Sequence, residues 1–263
     1  MNGLLLRLAG PLMAFGEHAL FHYRDTAPFP TRSALIGMLA AAAGRPRSHA
    51  LDPHHDLPGA PSYTDLALTI RVDRPGTRYT DFHTAGGGRP RGAGLRTSDG
   101  NYRAQKKSTL VTHRIYLADA AFTVAVEGPD PLLQHIADTL EHPHWAPYLG
   151  RRNCVPDEPL VLRSHTPDPI GQLLRQVPLT SAQPPRPGQD TLLVDFLWEA
   201  PPPHVSAAQV HRELADDPTD LRPLTRRYRS RQIWRTAESL PAALYAGPRP
   251  LDRLTDYVLQ ESP

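Results

Sequence analysis

One cysteine, Cys154, stands among 263 residues, so the chain can close no internal disulfide and build no cysteine-based metal site. That scarcity fits a reducing compartment, and a cytoplasmic protein is expected. No stretch approaches the ~20 consecutive apolar residues of a membrane span. The opening MNGLLLRLAGPLMAFGEH holds too short an apolar run for a signal peptide, so no membrane partner is expected. Thirty prolines and eighteen glycines promise long, shaped loops, while an apolar content of 40% is enough for a globular body. A chain of this length can bury one large core, alone or with a smaller appended domain.

The net charge of +2 conceals a segregation along the chain. Residues 1–70 are neutral, 71–114 hold ten Lys and Arg against three Asp and Glu, 115–221 hold six against fifteen, and 222–263 hold eight against four. Two basic zones therefore flank an acidic one. Separation on this scale points to a polyanion, nucleic acid first, as partner of the basic zones.

The most specific local signal is Phe29-Pro-Thr-Arg-Ser33 and the run that follows to Gly44. Thr31 is placed to cap a helix over Arg32–Ala43 and Gly44 to stop it, and Leu35, Ile36, Leu39, Ala40 and Ala43 recur at helical spacing. The first turn carries Arg32 and Ser33 and no acid. With its free backbone N–H groups, such a start suits a phosphate. Arg32 lies off the apolar stripe and is expected to be free to reach one.

Gly3–Leu8 reads as a strand, Leu66–Val72 as a half-buried strand, Phe122–Val126 as another, Asp130–Leu140 as a helix with Pro131 at its first position, and Pro159–Arg163 as a last strand. The succession is βαββαβ. An α+β, ferredoxin-like domain of the kind that RRM modules use is expected over 1–163. Residues 73–114 are too long for an ordinary connection. Arg74, Arg78, Arg89, Arg91, Arg96, Arg103, Lys106, Lys107 and Arg114 alternate there with Tyr79, Phe82, His83, Tyr102 and His113, around Gly86-Gly87-Gly88. Cations and flat rings on permissive backbone suit single-stranded nucleic acid.

A smaller, mostly β region is expected over 164–263. Leu192–Trp198 is strand-like, Ala207–Leu214 has the pattern of a short amphipathic helix, and Arg222–Arg235 carries six arginines with Tyr228 and Trp234 and no acid. That last run is a second basic surface, either a basic strand or a contact for an acidic partner protein.

Taken in order, Leu6-Arg-Leu-Ala-Gly-Pro11, Ala14-Phe-Gly16, Phe29-Pro-Thr-Arg-Ser33, Asp81-Phe-His-Thr84, Tyr116–Val124 and Pro147-Tyr-Leu-Gly-Arg-Arg-Asn-Cys-Val-Pro156 resemble the successive signatures of the CasD family, the fifth Cas family in its type I-E form. The likeness spans roughly residues 3–163. It implies a RAMP domain with an inserted β-hairpin thumb at 73–114. It also implies a non-catalytic place in a Cascade surveillance complex, on the 5′ handle of the CRISPR RNA, for antiviral defence.

Carried over by motif, Arg24 and Arg32 would meet handle phosphates, Ser33 would assist, and Gly150-Arg151-Arg152 would face the RNA. Arg89, Arg91, Arg103, Lys106 and Lys107 would do so from the thumb. The implied partners are the CasC backbone subunit, the CasA large subunit and, through the complex, target DNA. Pro28 stands where the family has a further basic residue, which removes one implied contact.

In the type I-C branch the CasD relative is itself a metal-independent endoribonuclease, and such an enzyme needs an acid–base pair at the 2′-OH and the leaving oxygen. His22-Tyr23 beside Arg24, and His113 with Lys106 and Lys107, are the constellations that could serve. Neither has a diagnostic spacing, and no catalytic residue, metal or cofactor is expected. His49, His54, His55, His142 and His144 lie in proline-containing stretches and are expected to be surface residues.

Overall fold

A computed structural model describes residues 2–17, 22–86, 94–97, 99–104, 109–181, 183–202 and 210–260. Among them a seven-stranded sheet, antiparallel throughout, forms the centre of an α+β fold. Its strands are β1 (Gly3–Ala9), β4 (Ala67–Arg74), β7 (Ala121–Glu127), β8 (Val161–Thr166), β9 (Thr191–Trp198), β10 (Val210–Asp220) and β11 (Arg227–Pro241), in the order β10-β11-β9-β4-β7-β1-β8.

Helices cover both faces. Leu4, Leu6 and Leu8 of β1 point to one face, where α1 (Arg32–Ala42) brings Leu35, Ile36 and Leu39, and α2 (Asp130–Glu141) brings Leu132, Leu133 and Ile136. Leu5 points to the other, which joins Leu162, Phe196, Trp198 and Leu240 to α3 (Pro169–Arg175) and α4 (Pro250–Leu259) through Leu173, Leu254 and Tyr257. A strand buried on both sides explains why Leu4-Leu5-Leu6 runs apolar without alternation, and why even Arg7, which interrupts the run, is buried.

α1 ends one residue before the expected Ala43. Thr31 Oγ1 accepts from Ala34 N, while Gly44 at φ +71° receives the chain, its N–H donating to Ala41 O and that of Arg45 to Ala40 O. This is the left-handed stop the sequence announces.

Three expectations need correction. β4 is not half solvated, because its second face is covered by the segment from Leu173 to Thr180. Arg71 is fully buried there, donating to the carbonyl oxygens of Leu173, Val177 and Pro178 and pairing with Asp73 at 2.6 Å. Asp73 is thus core, and the inserted hairpin begins later. It is formed by β5 (Thr77–Ala85) and β6 (Leu110–Ala118), in register from Thr77↔Ala118 to Ala85↔Leu110. β6 also pairs with β2 (Leu12–Met13) and β3 (Tyr23–Arg24), so the base of the arm is tied to the body.

Second, Val210–Leu214 is strand, not helix; residues 207–209 lie outside the described residues. Third, the C-terminal strands build no sheet of their own, since β9 pairs with β4 and extends the central sheet. Among the described residues no helix is long and apolar enough to cross a membrane.

Candidate nucleic-acid interface

The start of α1 does hold an anion, and the anion belongs to the protein. Arg32 N donates to Asp216 Oδ2 at 2.6 Å, and the guanidinium donates from Nε to Asp217 Oδ1 (3.2 Å), from Nη1 to Glu199 Oε2 and Leu66 O (both 2.8 Å) and from Nη2 to Thr64 O (2.9 Å). Arg32 is 6% exposed, which corrects the expectation that it reaches a phosphate. The physical reason is β10, a strand that runs on past the stretch Ala207–Leu214 read as a helix from the sequence and lays Asp216 and Asp217 across the start of α1. Burial pushes the Glu199 carboxyl above its usual range, opposed by Arg32 and Arg231.

The same strands pair four of the six arginines of the second basic zone. Arg229 pairs with Asp217, Arg231 with Asp216 and Glu199, Arg235 with Asp195 and Arg222 with Asp220. These four arginines are neutralised by carboxylates of the acidic zone across β9, β10 and β11.

Free cations gather elsewhere. A groove of about 880 Å³ runs beside α1, floored by Ala34, Gly37, Ala40 and Ala41 and walled by the loop 145–152. Around it stand Arg45, Arg47, Arg152, Trp145, Tyr148 and Tyr228, and among the described residues no carboxylate lines it. Ser33 lies in the lining, its Oγ 3.4 Å from Thr31 Oγ1. Arg45 is held by the carbonyl oxygens of Asp52 and Pro53, whereas Arg47 and Arg152 are exposed. Gly150 also lines the groove, at φ +88°. A Cβ there would fall 1.8 Å from Ala14 O, so the loop can take this path only with glycine.

Of the other expected residues, Arg24 is exposed on β3, and its carbonyl accepts from Arg151 Nη2 at 3.1 Å. Arg151 lies over the Tyr116 ring, 4.5 Å from its centroid, and so ties the loop to β3 and β6. The β3–β6 register sets Tyr23 opposite His113, whose ring meets Phe82 edge-on at 5.4 Å. Arg103 N donates to Leu95 O. Arg89, Arg91, Lys106 and Lys107 lie outside the described residues.

His54 departs from the surface histidine expected. It is 4% exposed, its ring 4.9 Å from those of Tyr63 and His135, and burial lowers its pKa to about 4, with Arg45 and His135 adding to the effect. Among the described residues no group of three His, Cys, Asp or Glu is placed to hold a metal.

A family model described as CRISPR-associated protein (Cas_Cas5) matches residues 3–234. The chain belongs to the Cas5 family. The CRISPR system Cascade subunit CasD of Escherichia coli (strain K12) is 34% identical over 188 residues, which cover 67% of this chain and 77% of that one. A solved chain described as CRISPR RNA-guided surveillance complex superposes with a TM-score of 0.85 at 45% identity, covering 98% of this Cas5 chain and 100% of its own length. Another, described as a Cas protein, gives 0.55 at 26% identity over 92% and 97%.

The Cas5 match thus runs far past residue 163, where the motif likeness thins, and takes in β9, β10 and most of β11. Sequence reasoning missed Arg45, Arg47, Trp145 and Tyr148 as groove residues. The available signals were the basic pair Arg45-Pro-Arg47 directly after the helix stop, and two rings flanking Pro147 just before Gly150.

Proposed function

We propose that this Cas5 chain is a non-catalytic subunit of a Cascade-type CRISPR surveillance complex and holds the 5′ handle of the CRISPR RNA in the groove between α1 and the loop 145–152. The observation that carries the reading is the composition of that groove, in which three arginines, three rings and a floor of small residues stand with no carboxylate among the described lining residues. Cations follow phosphates, rings stack on bases, and small residues let the strand approach closely. The likeness to CasD and to a chain of an RNA-guided surveillance complex supports the setting.

The order β4-β7-β1-β8, drawn from a βαββαβ succession, is what a split βαβ unit produces, and we take this body as ferredoxin-like with β5–β6 as its thumb. In this reading the hairpin meets the CasC backbone subunit, CasA completes the complex, target DNA is reached through it, and the setting is the cytoplasm.

Fluorescence anisotropy with a labelled CRISPR RNA, its 5′ handle intact or scrambled, tests the proposal. Tighter binding of the intact handle is expected, and equal or absent binding overturns it.

A second reading is favoured by one register: Tyr23 and His113, from two separate constellations, are partners across β3 and β6. A tyrosine and a histidine side by side can divide acid and base roles in RNA cleavage. Incubating the chain with repeat RNA in chelator separates the readings. Intact RNA supports the non-catalytic one, and cleavage lost in His113→Ala or Tyr23→Phe supports an endoribonuclease.

A further inference from the structure

Resting on the reading of the groove as an RNA site, we infer that the β10–β11 hairpin is a third wall of that groove and that Tyr228 stacks on a base of the bound single strand. α1 and the loop 145–152 supply two walls. The third comes from Leu221, 7% exposed, and Tyr228, 41% exposed.

The strand's alternation assigns its side chains to two tasks. Arg229 and Arg231 turn to the carboxylates around Arg32, while Tyr228 between Arg227 and Arg229 lines the groove instead. The ion cluster therefore fixes the hairpin to the start of α1, the helix that floors the groove. Beyond Leu221 the hairpin tip is held as well. Arg222 and Thr225 both bond the Asp220 carboxylate, and Arg222 N donates to it at 2.9 Å.

Tyr228 is thus a flat ring on a braced support, facing a groove that carries three arginines and, among the described residues, no acid. A ring of this kind stacks on any base and asks for no particular sequence. Single-stranded RNA is the occupant that uses both the charge and the ring.

The test uses the full chain and short fluorescein-labelled oligouridylates, one intact and one abasic throughout. Tyr228→Ala is expected to weaken binding of the intact strand by roughly 5- to 100-fold and to leave abasic binding unchanged, while Tyr228→Phe keeps nearly full affinity. A 2-aminopurine in the strand should be quenched on binding to the wild-type protein, a measurement that needs no variant. If Arg152→Ala weakens binding but Tyr228→Ala does not, or if Tyr228→Ala weakens abasic and intact strands alike, the stacking role is overturned and the groove stands. If 2-aminopurine is not quenched while the strand binds, the stacking role is likewise overturned. If the wild-type chain binds neither strand, the groove reading falls and this inference with it.

Discussion

Arg32 and Asp217, 185 positions apart, form a buried ion pair with Nε 3.2 Å from Oδ1, and through it the first turn of α1 is locked to β10. Two carboxylates from one strand meet that turn, Asp216 at its backbone N–H and Asp217 at its guanidinium, and Glu199 closes the cluster from beyond β9. The anion site and its anion are both parts of the fold.

Arg32→Ala should therefore act on stability. Removing the cation strands buried carboxylates, a change that typically costs 3–5 kcal/mol; because Arg229 and Arg231 stay to share the load, about 3 kcal/mol is expected. Urea unfolding should show the midpoint falling with little change of slope. Arg32→Lys should recover only part of the loss, because an ammonium cannot serve two carboxylates and two carbonyls in one plane. A variant as stable as the wild type would show that the cluster braces nothing.

Arg152 and Arg47 should behave in the opposite way. Both are exposed at the groove, so replacing either with alanine should leave the melting temperature in place. If each neutralises one phosphate of a single strand, each loss should flatten the plot of log affinity against log salt by about 0.7. Titrations at several salt concentrations check this, and an unchanged slope would remove that arginine from the phosphate path.

The inserted hairpin can be shortened without touching the core. Ala85 and Leu110 face each other at the end of the β5–β6 ladder, so an Asn-Gly turn in place of 86–109 can close it. β2 and β3 still hold β6 to the body. The shortened chain is expected to melt with the wild type and to lose co-purification with CRISPR RNA and partner subunits. Normal assembly would show that the basic segment is dispensable.

What was legible in the sequence was what is locally encoded. α1 carries its cap Thr31, its apolar period and its stop Gly44 within fourteen residues, and α2 carries Pro131 and its own stripe. β10 was illegible because it is an edge strand whose inward residues include Asp216 and Asp217, only 1% and 7% exposed; it presents carboxylates where a strand would present apolar side chains. Arg71 and Asp73 misled in the same way, as charges on a buried face. The groove is assembled from α1, the loop 145–152 and the β10–β11 hairpin, and no single stretch announces it. Charge counted along the chain misjudged the second basic zone because β-register, unseen in sequence, pairs it with the acidic one.

His54 supplies a pH dependence with a definite sign. Its folded pKa of about 4 lies below the ordinary value of 6.5, so between these limits the unfolded chain binds more protons and stability rises with pH. The contribution is complete above pH 6.5 and is lost as pH falls toward 4, where protonation would place a cation among Tyr63, His135 and Arg45 with only Asp56 to favour it. An effect of about 1–3 kcal/mol is expected over that window. His54→Phe keeps a ring in the same aromatic contacts and cannot be protonated, so its unfolding free energy should change less between pH 7 and pH 4.5 than that of the wild type. Denaturant unfolding of both proteins at the two pH values measures the difference. Parallel losses would assign the acid sensitivity to groups other than His54.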